Sequence, residues 1–319
     1  MKIAIILPAY NEELTIQCTI ESFYKECPEA RIIVVNNNSM DSTASIAEET
    51  LRRLGACGEV IHETRQGKGN AVRRAFMEIN ADIYVISDAD CTYPANQIHD
   101  LMAPVIDGLA DMVTGDRHSK GNYEKENKRP LHNLGNKLVQ SLVNGLFGAS
   151  LADIMTGYRC FSRSFVKNYP ILVKGFEIET DMTLHALDKK FRIMEIPVEY
   201  KDRPMGSFSK LNTLSDGALV LNTIVRILRF YRPMYFFGGL SLSFALLGLI
   251  ASIPVLDDWI RYRYIYHVPL AILSTGIEII ALLLIAIALI LDSIADQDKR
   301  NFELRILNSK THENLELFK

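Results

Sequence analysis

The chain has 319 residues, 48% of them hydrophobic, and a formal net charge of -3. That length allows one large domain or a domain with an appendage, and the charge excludes the broad basic surface that nucleic-acid binding requires. Five scattered cysteines without a C-x-x-C pair exclude a disulfide framework and a thiolate metal motif, and they suit free thiols in a reducing compartment.

The apolar run of residues 3–7 predicts a first strand, and so little chain precedes it that no signal peptide is expected. Pro8-Ala9-Tyr10-Asn11-Glu12-Glu13 ends the strand and is expected to open a helix. Asn11 is a good N-cap, and acidic residues suit a first turn. Leu14, Ile16, Ile20 and Phe23 follow at roughly helical spacing. Residues 31–35 form a second strand, which ends in the polar loop 36–43 before a helix from about 44 to 54. Residues 59–62 form a third, shorter strand. Arg65-Gln66-Gly67-Lys68-Gly69-Asn70-Ala71 then places a lysine between two glycines at a helix start, where bare backbone can approach an anion. The spacing is not that of a P-loop. No G-x-G-x-x-G follows the first strand, which argues against a nicotinamide or flavin dehydrogenase.

Ile83-Tyr84-Val85-Ile86 reads as a buried strand that stops at Ser87-Asp88-Ala89-Asp90. Ligands of open α/β sheets sit beyond the carboxyl ends of the strands. Side chains at i and i+2 of extended chain point the same way, so Asp88 and Asp90 can share one hard cation. Mg²⁺ takes one or two carboxylates plus phosphate oxygens. Alone, Asp-Ala-Asp reads as a polar turn. Polar loops at residues 8–13, 36–41 and 88–90, all on one sheet edge, favour a metal–diphosphate clamp.

Residues 111–114 form another strand, leading into Gly115-Asp116-Arg117 and a charged loop to residue 129. Leu131, Leu134, Leu138, Leu142 and Leu146 recur as one stripe of an amphipathic helix, which either packs on the sheet or touches a membrane surface. Glu177, Glu179 and Asp181 lead into a helix that runs to about residue 190. These carboxylates either form a general-base cluster or cap and solvate the helix start. Residues 193–200 form a last strand. The loop 203–211 carries Arg203 and Lys210, which either grip phosphate or are simply solvated. Strands alternating with helices give an α/β fold with a doubly wound, mostly parallel sheet.

Residues 234–256 carry no charge, and residues 269–291 carry only Glu278. Each segment is long enough to cross a hydrocarbon core of ~30 Å. The expected organisation is a domain over 1–212, an amphipathic juxtamembrane helix over 213–233, crossings at 234–256 and 269–291, an external loop over 257–268 and a tail over 292–319. Arg226, Arg229 and Arg232 before the crossings, and Lys299, Arg300 and Arg305 after them, place the domain and the tail in the cytoplasm. Arg261 and Arg263 in the connecting turn run against that assignment. Trp259, Tyr262, Tyr264 and Tyr266 fit an interfacial aromatic belt. Glu278 is a functional or oligomer-contact hypothesis by default, or a protonated and silent group.

Pro8-Ala9-Tyr10-Asn11-Glu12, the loop 36–41, Gly67-Lys68-Gly69 and Asp88-Ala89-Asp90 resemble the family 2 glycosyltransferases of GT-A fold. Thr156-Gly157-Tyr158-Arg159-Cys160-Phe161 and the loop 203–211 resemble their polyprenyl-phosphate branch, which includes dolichol-phosphate mannose synthase and bacterial undecaprenyl-phosphate glucosyl- and N-acetylglucosaminyltransferases. The likeness covers about residues 1–230, and the two crossings are similar to those of the bacterial members. It implies a Rossmann-like GT-A domain followed by two transmembrane helices. It also implies metal-dependent, inverting transfer of one sugar from a nucleotide sugar, UDP-glucose or UDP-N-acetylglucosamine, to undecaprenyl phosphate.

The residues carry over as follows. Pro8, Tyr10 and Glu12 would line the base and ribose, with Asn37 beside them. Lys68 and Asp88 would hold the nucleotide. Asp90, with Asp88, would ligate Mg²⁺ or Mn²⁺. Arg117, Arg129, Arg203 and Lys210 would bind the phosphates of donor and lipid. Asp153 matches an acidic position near the sugar, and Asp90 and Asp181 complete the expected catalytic acids. Asn36-Asn37 stand where Asp-Asp is common in the family. The implied partners are the nucleotide sugar, the polyprenyl phosphate and the bilayer, with room for a homo-oligomer and a flippase-type membrane partner. One rival is a processive polysaccharide synthase, but the Q-x-x-R-W motif is absent and Trp259 lies between the crossings. The other is a non-enzymatic membrane scaffold with an inactive transferase domain, against which the presence of both aspartates argues.

Overall fold

The computed structural model describes residues 1–119, 130–175, 177–201 and 216–317. The chain divides into two compact units, Met1–Asp216 and Gly217–Lys319.

The first unit is built on one seven-stranded sheet. Its strands are β1 (Ile3–Ala9), β2 (Arg31–Asn36), β3 (Gly58–His62), β4 (Ile83–Ile86), β5 (Met112–Asp116), β6 (Arg159–Ser162) and β7 (Ile193–Pro197), in the order β3-β2-β1-β4-β6-β5-β7. All neighbours pair in parallel except β6, which runs antiparallel to both β4 and β5.

The central strands are apolar at nearly every position because both faces are covered. Alternate residues enter opposite layers. Ile5, Leu7, Ile32, Val34 and Val85 pack under α1 (Ile16–Glu26), α2 (Thr43–Leu54) and α4 (Ile98–Ile106). Ala4, Ile6, Ile33, Val35, Tyr84 and Ile86 pack under α3 (Lys68–Glu78), α6 (Arg163–Asn168) and α7 (Ile178–Asp188). The amphipathic stripe after residue 130 is α5 (Pro130–Phe147), whose Val139 and Val143 are buried.

Helix α1 starts later than the sequence suggests. Asn11 does not cap it: its backbone is left-handed, at φ 51°, a conformation asparagine tolerates. Its side-chain oxygen accepts the Met40 N–H at 2.9 Å and its own N–H donates to Ser39 Oγ. Residues 10–13 are thus fastened to the loop after β2, and Thr15 precedes the first helical turn.

The second unit holds α8 (Asp216–Tyr231), α9 (Pro233–Tyr262) and α10 (Val268–Leu317). Both long helices run past the apolar segments that mark them in the sequence, leaving a turn of residues 263–267. Asp258 closes that turn, its Oδ2 accepting from the Tyr266 and His267 N–H groups. The helices lie antiparallel along a seam of small residues. Ser241 and Gly248 on α9, and Ser274, Ala281 and Ala288 on α10, are buried at seven-residue intervals. Ser241 Oγ donates to the Ala281 carbonyl at 2.8 Å. A Cβ at Gly248 would lie 2.5 Å from Glu278 Oε1, so only glycine admits that carboxyl.

Only 11% of each helix's most apolar window is buried. Leu242, Leu246, Leu249, Ile250 and Ile253 face outward, with Leu273, Ile279, Leu282 and Leu283 on α10. Both helices are long and apolar enough to cross a membrane, and so wide an apolar surface suits lipid rather than water.

Candidate active site

The carboxyl ends of β1, β2 and β4 adjoin one another, since these strands pair in parallel. Past β4 the chain extends only through Ser87 and Asp88, then bends at Ala89, Asp90 and Cys91, where φ reaches 59°. The i, i+2 rule behind the expected common direction of Asp88 and Asp90 therefore does not apply here, because it holds only for extended backbone. Asp88 Oδ1 meets Lys68 Nζ at 2.5 Å. Asp90 is buried, and its Oδ1 accepts from the Thr92 hydroxyl at 2.6 Å and the Thr92 N–H at 3.2 Å.

Lys68 stands in the first turn of α3 and has a second partner, Glu179 Oε1, also at 2.5 Å. Burial works against its charge, but Asp88 and Glu179 override that and hold the ammonium well above the ordinary lysine range. The sequence singles out Asp181 among the three carboxylates near this helix start. The structure gives Lys68 to Glu179, while Asp181 Oδ2 accepts from the Tyr169 hydroxyl at 2.8 Å. Both are on α7, where residues two apart are turned by roughly 200° from each other, so alternation of carboxylates does not make a cluster there.

The glycines beside Lys68 also have a different task from the one expected. A Cβ on Gly67 would lie 2.2 Å from the Lys174 carbonyl oxygen, and one on Gly69 would lie 2.3 Å from that of Val173. Their bare α-carbons admit the protein's own 173–174 backbone. Gly157 faces the chemistry directly: a Cβ there would lie 2.6 Å from Asp88 Oδ2.

Asn37 is buried, and its amide is used inside the protein. Its Nδ2 donates to the carbonyls of Glu63 and Arg65, and its Oδ1 accepts the Gly67 N–H at 2.6 Å. It thus ties the end of β2 to the start of α3. Nearby, Glu63 is pulled down to about 2 by hydrogen bonds from Arg65. Pro8 lies in β1 beside Val35 and is half-buried. Tyr10 is half-buried and Glu12 buried, the Glu12 N–H donating to Thr43 Oγ1 at 2.8 Å.

A second ion pair lies beyond β5. Arg117 donates to Asp153 through Nε at 2.6 Å and Nη2 at 3.0 Å, with both residues buried. Burial alone would push the Asp153 carboxyl up, but the guanidinium reverses this and holds it below the usual carboxylate range. The guanidinium carbon also lies 5.7 Å from the Tyr200 ring centroid. Tyr200 packs edge-on against Tyr93, which accepts the Gly157 N–H and feels the charges of Arg117, Asp88 and Asp153. Burial pushes the Tyr93 hydroxyl up to about 12.

Tyr93 and Tyr200 are site-forming residues that motif reading passed over, whereas Glu179 entered it only as one of three alternating carboxylates and Arg159 only as part of the 156–161 stretch. Arg159 is fully buried and donates to the carbonyls of Ile154 and Thr156 and to Thr183 Oγ1. It thereby fixes the segment that carries Asp153 and Gly157. A fully buried arginine is unusual, and its burial is visible only in the folded chain. Arg129, Arg203 and Lys210 lie outside the described residues.

Among the described residues no group of three or more His, Cys, Asp or Glu side chains is arranged to hold a metal. Asp88 is engaged by Lys68. The carboxylates that would hold such an ion are those of Asp90 and Asp88, a set small enough to suit a cation that takes most of its ligands from diphosphate and water.

The family model for glycosyl transferase family 2 matches residues 4–169. The chain is 29% identical over 278 residues to glycosyltransferase AglJ of Haloferax volcanii, covering 85% of this chain and 86% of that protein. It is 27% identical over 237 residues to the undecaprenyl-phosphate mannosyltransferase of Micrococcus luteus, covering 72% and 93%. Among solved structures it resembles glucosyl-3-phosphoglycerate synthase from Mycobacterium tuberculosis in complex with Mn²⁺, uridine diphosphate and phosphoglyceric acid. That likeness has a TM-score of 0.53 at 22% identity, covers 72% of this chain and 78% of that one, and is one of fold. The sheet order with its single reversed strand, the acidic β4 end and a family match over more than half of the chain lead to one conclusion: this chain is a glycosyltransferase of GT-A fold, a member of glycosyl transferase family 2.

Proposed function

We propose that the enzyme moves one sugar from a nucleotide sugar to the phosphate of a polyprenyl phosphate at the cytoplasmic face of a membrane. UDP-glucose and UDP-N-acetylglucosamine are the donors to try first, and undecaprenyl phosphate the acceptor. The observation that carries this reading is the union, in one chain, of a family 2 transferase domain with a hairpin of two outward-facing apolar helices. A relative matched over most of its length is by name an undecaprenyl-phosphate mannosyltransferase, which supports the acceptor class.

The residues suit that chemistry. Mg²⁺ or Mn²⁺ held by Asp90 and Asp88 would offset charge on the departing nucleoside diphosphate. Lys68, fixed between Asp88 and Glu179, sets the position of the Asp88 carboxylate and keeps a cation beside the nucleotide. Pro8, Tyr10 and Glu12 line the base and ribose side, and Asn37 shapes that side through its hold on residues 63–67. An oxygen of the acceptor phosphate attacks the anomeric carbon from the face opposite the leaving diphosphate, so the configuration inverts. That oxygen is anionic near neutral pH and needs no general base. Positioning and electrostatics therefore dominate the rate. Arg117, held on two atoms by Asp153, is a pre-oriented cation for phosphate, and we assign Arg129, Arg203 and Lys210 to the same task.

The test incubates the purified full chain in detergent with undecaprenyl phosphate, Mg²⁺ or Mn²⁺, and a panel of UDP- and GDP-sugars, followed by mass spectrometry of the lipid. A lipid heavier by one sugar is expected. A long polymer, or no glycosylated lipid from any donor, would defeat the proposal.

A further inference from the structure

Cys18 lies on α1 and Cys91 in the bend after β4. The Cys91 thiol donates to the Thr15 carbonyl at 3.3 Å and lies 3.2 Å from the Thr19 hydroxyl. Thr15 just precedes α1 and Thr19 lies in it, so the two bracket Cys18, and helical spacing puts all three on one face. Both thiols line one cavity of about 390 Å³, with Asp88, Tyr93 and Lys201 also on its walls. Cys18 is exposed and Cys91 half-buried, so the pair can be reached from solvent. Cys57 is also exposed, whereas Cys27 and Cys160 are buried.

We propose that Cys18 and Cys91 form a redox-modifiable dithiol, which a peroxide oxidises to an intramolecular disulfide that locks the bend carrying Asp90. Exposed Cys18 reacts first. Its thiolate sulfur attacks a peroxide oxygen, the O–O bond breaks, and the departing hydroxide leaves as water with the thiol proton, giving a sulfenic acid. The Cys91 sulfur then attacks that sulfur. The S–S bond forms, the S–O bond breaks, and hydroxide with the Cys91 proton leaves as a second water. Two thiols have lost two electrons and two protons to one peroxide, and a small dithiol reverses the change by exchange.

The bridge would tie residue 91 to α1, next to a residue that we assign as a metal ligand. The loss of activity rests on that assignment, whereas the bridge does not. A shift of about 1 Å at such a site costs on the order of a hundredfold in rate.

The experiment treats the full chain in detergent with hydrogen peroxide and alkylates free thiols under denaturing conditions. It then reduces, alkylates with an isotopically heavy reagent and maps the peptides. Cys18 and Cys91 should carry the heavy label together, and Cys57 should not carry it. In C18S, Cys91 should keep the light label, and transfer should be as fast as in the parent but indifferent to peroxide. In the parent, transfer should fall by about a hundredfold and return with dithiothreitol. Light label on Cys91 after treatment, or a Cys18–Cys57 link between chains, would overturn the dithiol. A mapped bridge with undiminished transfer would overturn its control of the site while leaving the transferase reading intact. Failure of every donor with reduced protein would defeat the transferase reading alone, since the bridge is judged by mass.

Discussion

Asp90 is the residue to which the proposed chemistry assigns the metal. It is buried where the chain bends, and two hydrogen bonds from Thr92 orient its carboxylate. Removing it takes away a preorganised charge but no core packing. Transfer by D90A should therefore fall by roughly a thousandfold, while its thermal melt in detergent stays close to that of the parent. Near-normal transfer by purified D90A would refute the clamp. Glu179 and Asp181 make a sharper comparison, because both stand in the first turn of α7 but serve different partners. E179Q leaves Lys68 with Asp88 alone and should slow transfer about tenfold, whereas D181N should change it little. Equal effects of the two would show that the Lys68 cluster does not set the rate. Glu63 gives a pH signature. Its carboxyl, bonded by Arg65, titrates near 2, against about 4.3 when unfolded. A depressed value means stability that is present above the unfolded pKa and lost as pH falls toward the folded one. E63Q should therefore melt earlier than the parent at pH 7, and the gap should narrow below about pH 4. A gap constant between pH 7 and pH 3 would contradict the ion-pair account.

At the scale of elements, the long apolar strands and the helices between them are legible because burial on both faces demands uninterrupted β-branched runs. The short pieces are not. Strand β6 begins with Arg159 and spans four residues, so no apolar run announces it, and the Arg159 guanidinium turns back to the carbonyls of Ile154 and Thr156 and across to Thr183 Oγ1. Helix α4 contains Pro104, which reads locally as a breaker. Asn11 looks like a cap but is a left-handed tether. The acidic end of β4 is visible in the sequence because two aspartates after such a strand are conspicuous. What is not visible is that the backbone bends between them, or that Lys68 reaches across to α7. The glycines show the same limit: their spacing suggests an anion cradle, but their contacts are with residues 173 and 174. In G69A, a methyl 2.3 Å from a backbone carbonyl has nowhere to go. It should destabilise the domain by about 1–3 kcal/mol, with loss of transfer at 37 °C and retention at lower temperature. Unchanged melting of G69A would mean that α3 and the 173–174 segment are not packed as described.

For the whole molecule, the question is which side of the membrane each unit occupies. Helix α10 has 50 residues and is about 75 Å long, more than twice a hydrocarbon core of ~30 Å. Its apolar part ends before Asp292, so the remaining turns continue into water as a charged helix. We propose that both helices cross, which would return the chain to the side from which it came and put Met1–Asp216 and the end of α10 in one compartment. Arg226, Arg229 and Arg232 closely precede α9, Lys299, Arg300 and Arg305 closely follow the apolar part of α10, and two arginines lie in or beside the turn. The bias is modest but points the flanks to the cytoplasm. A cytoplasmic side would give the transferase its sugar nucleotides, and free thiols suit a reducing compartment. A fluorescent protein fused after Lys319 should therefore fluoresce, and alkaline phosphatase inserted at residue 265 should be active. The reverse pair of signals would place the transferase domain outside, away from its donor, and would remove the physical basis for a cytoplasmic lipid-phosphate acceptor.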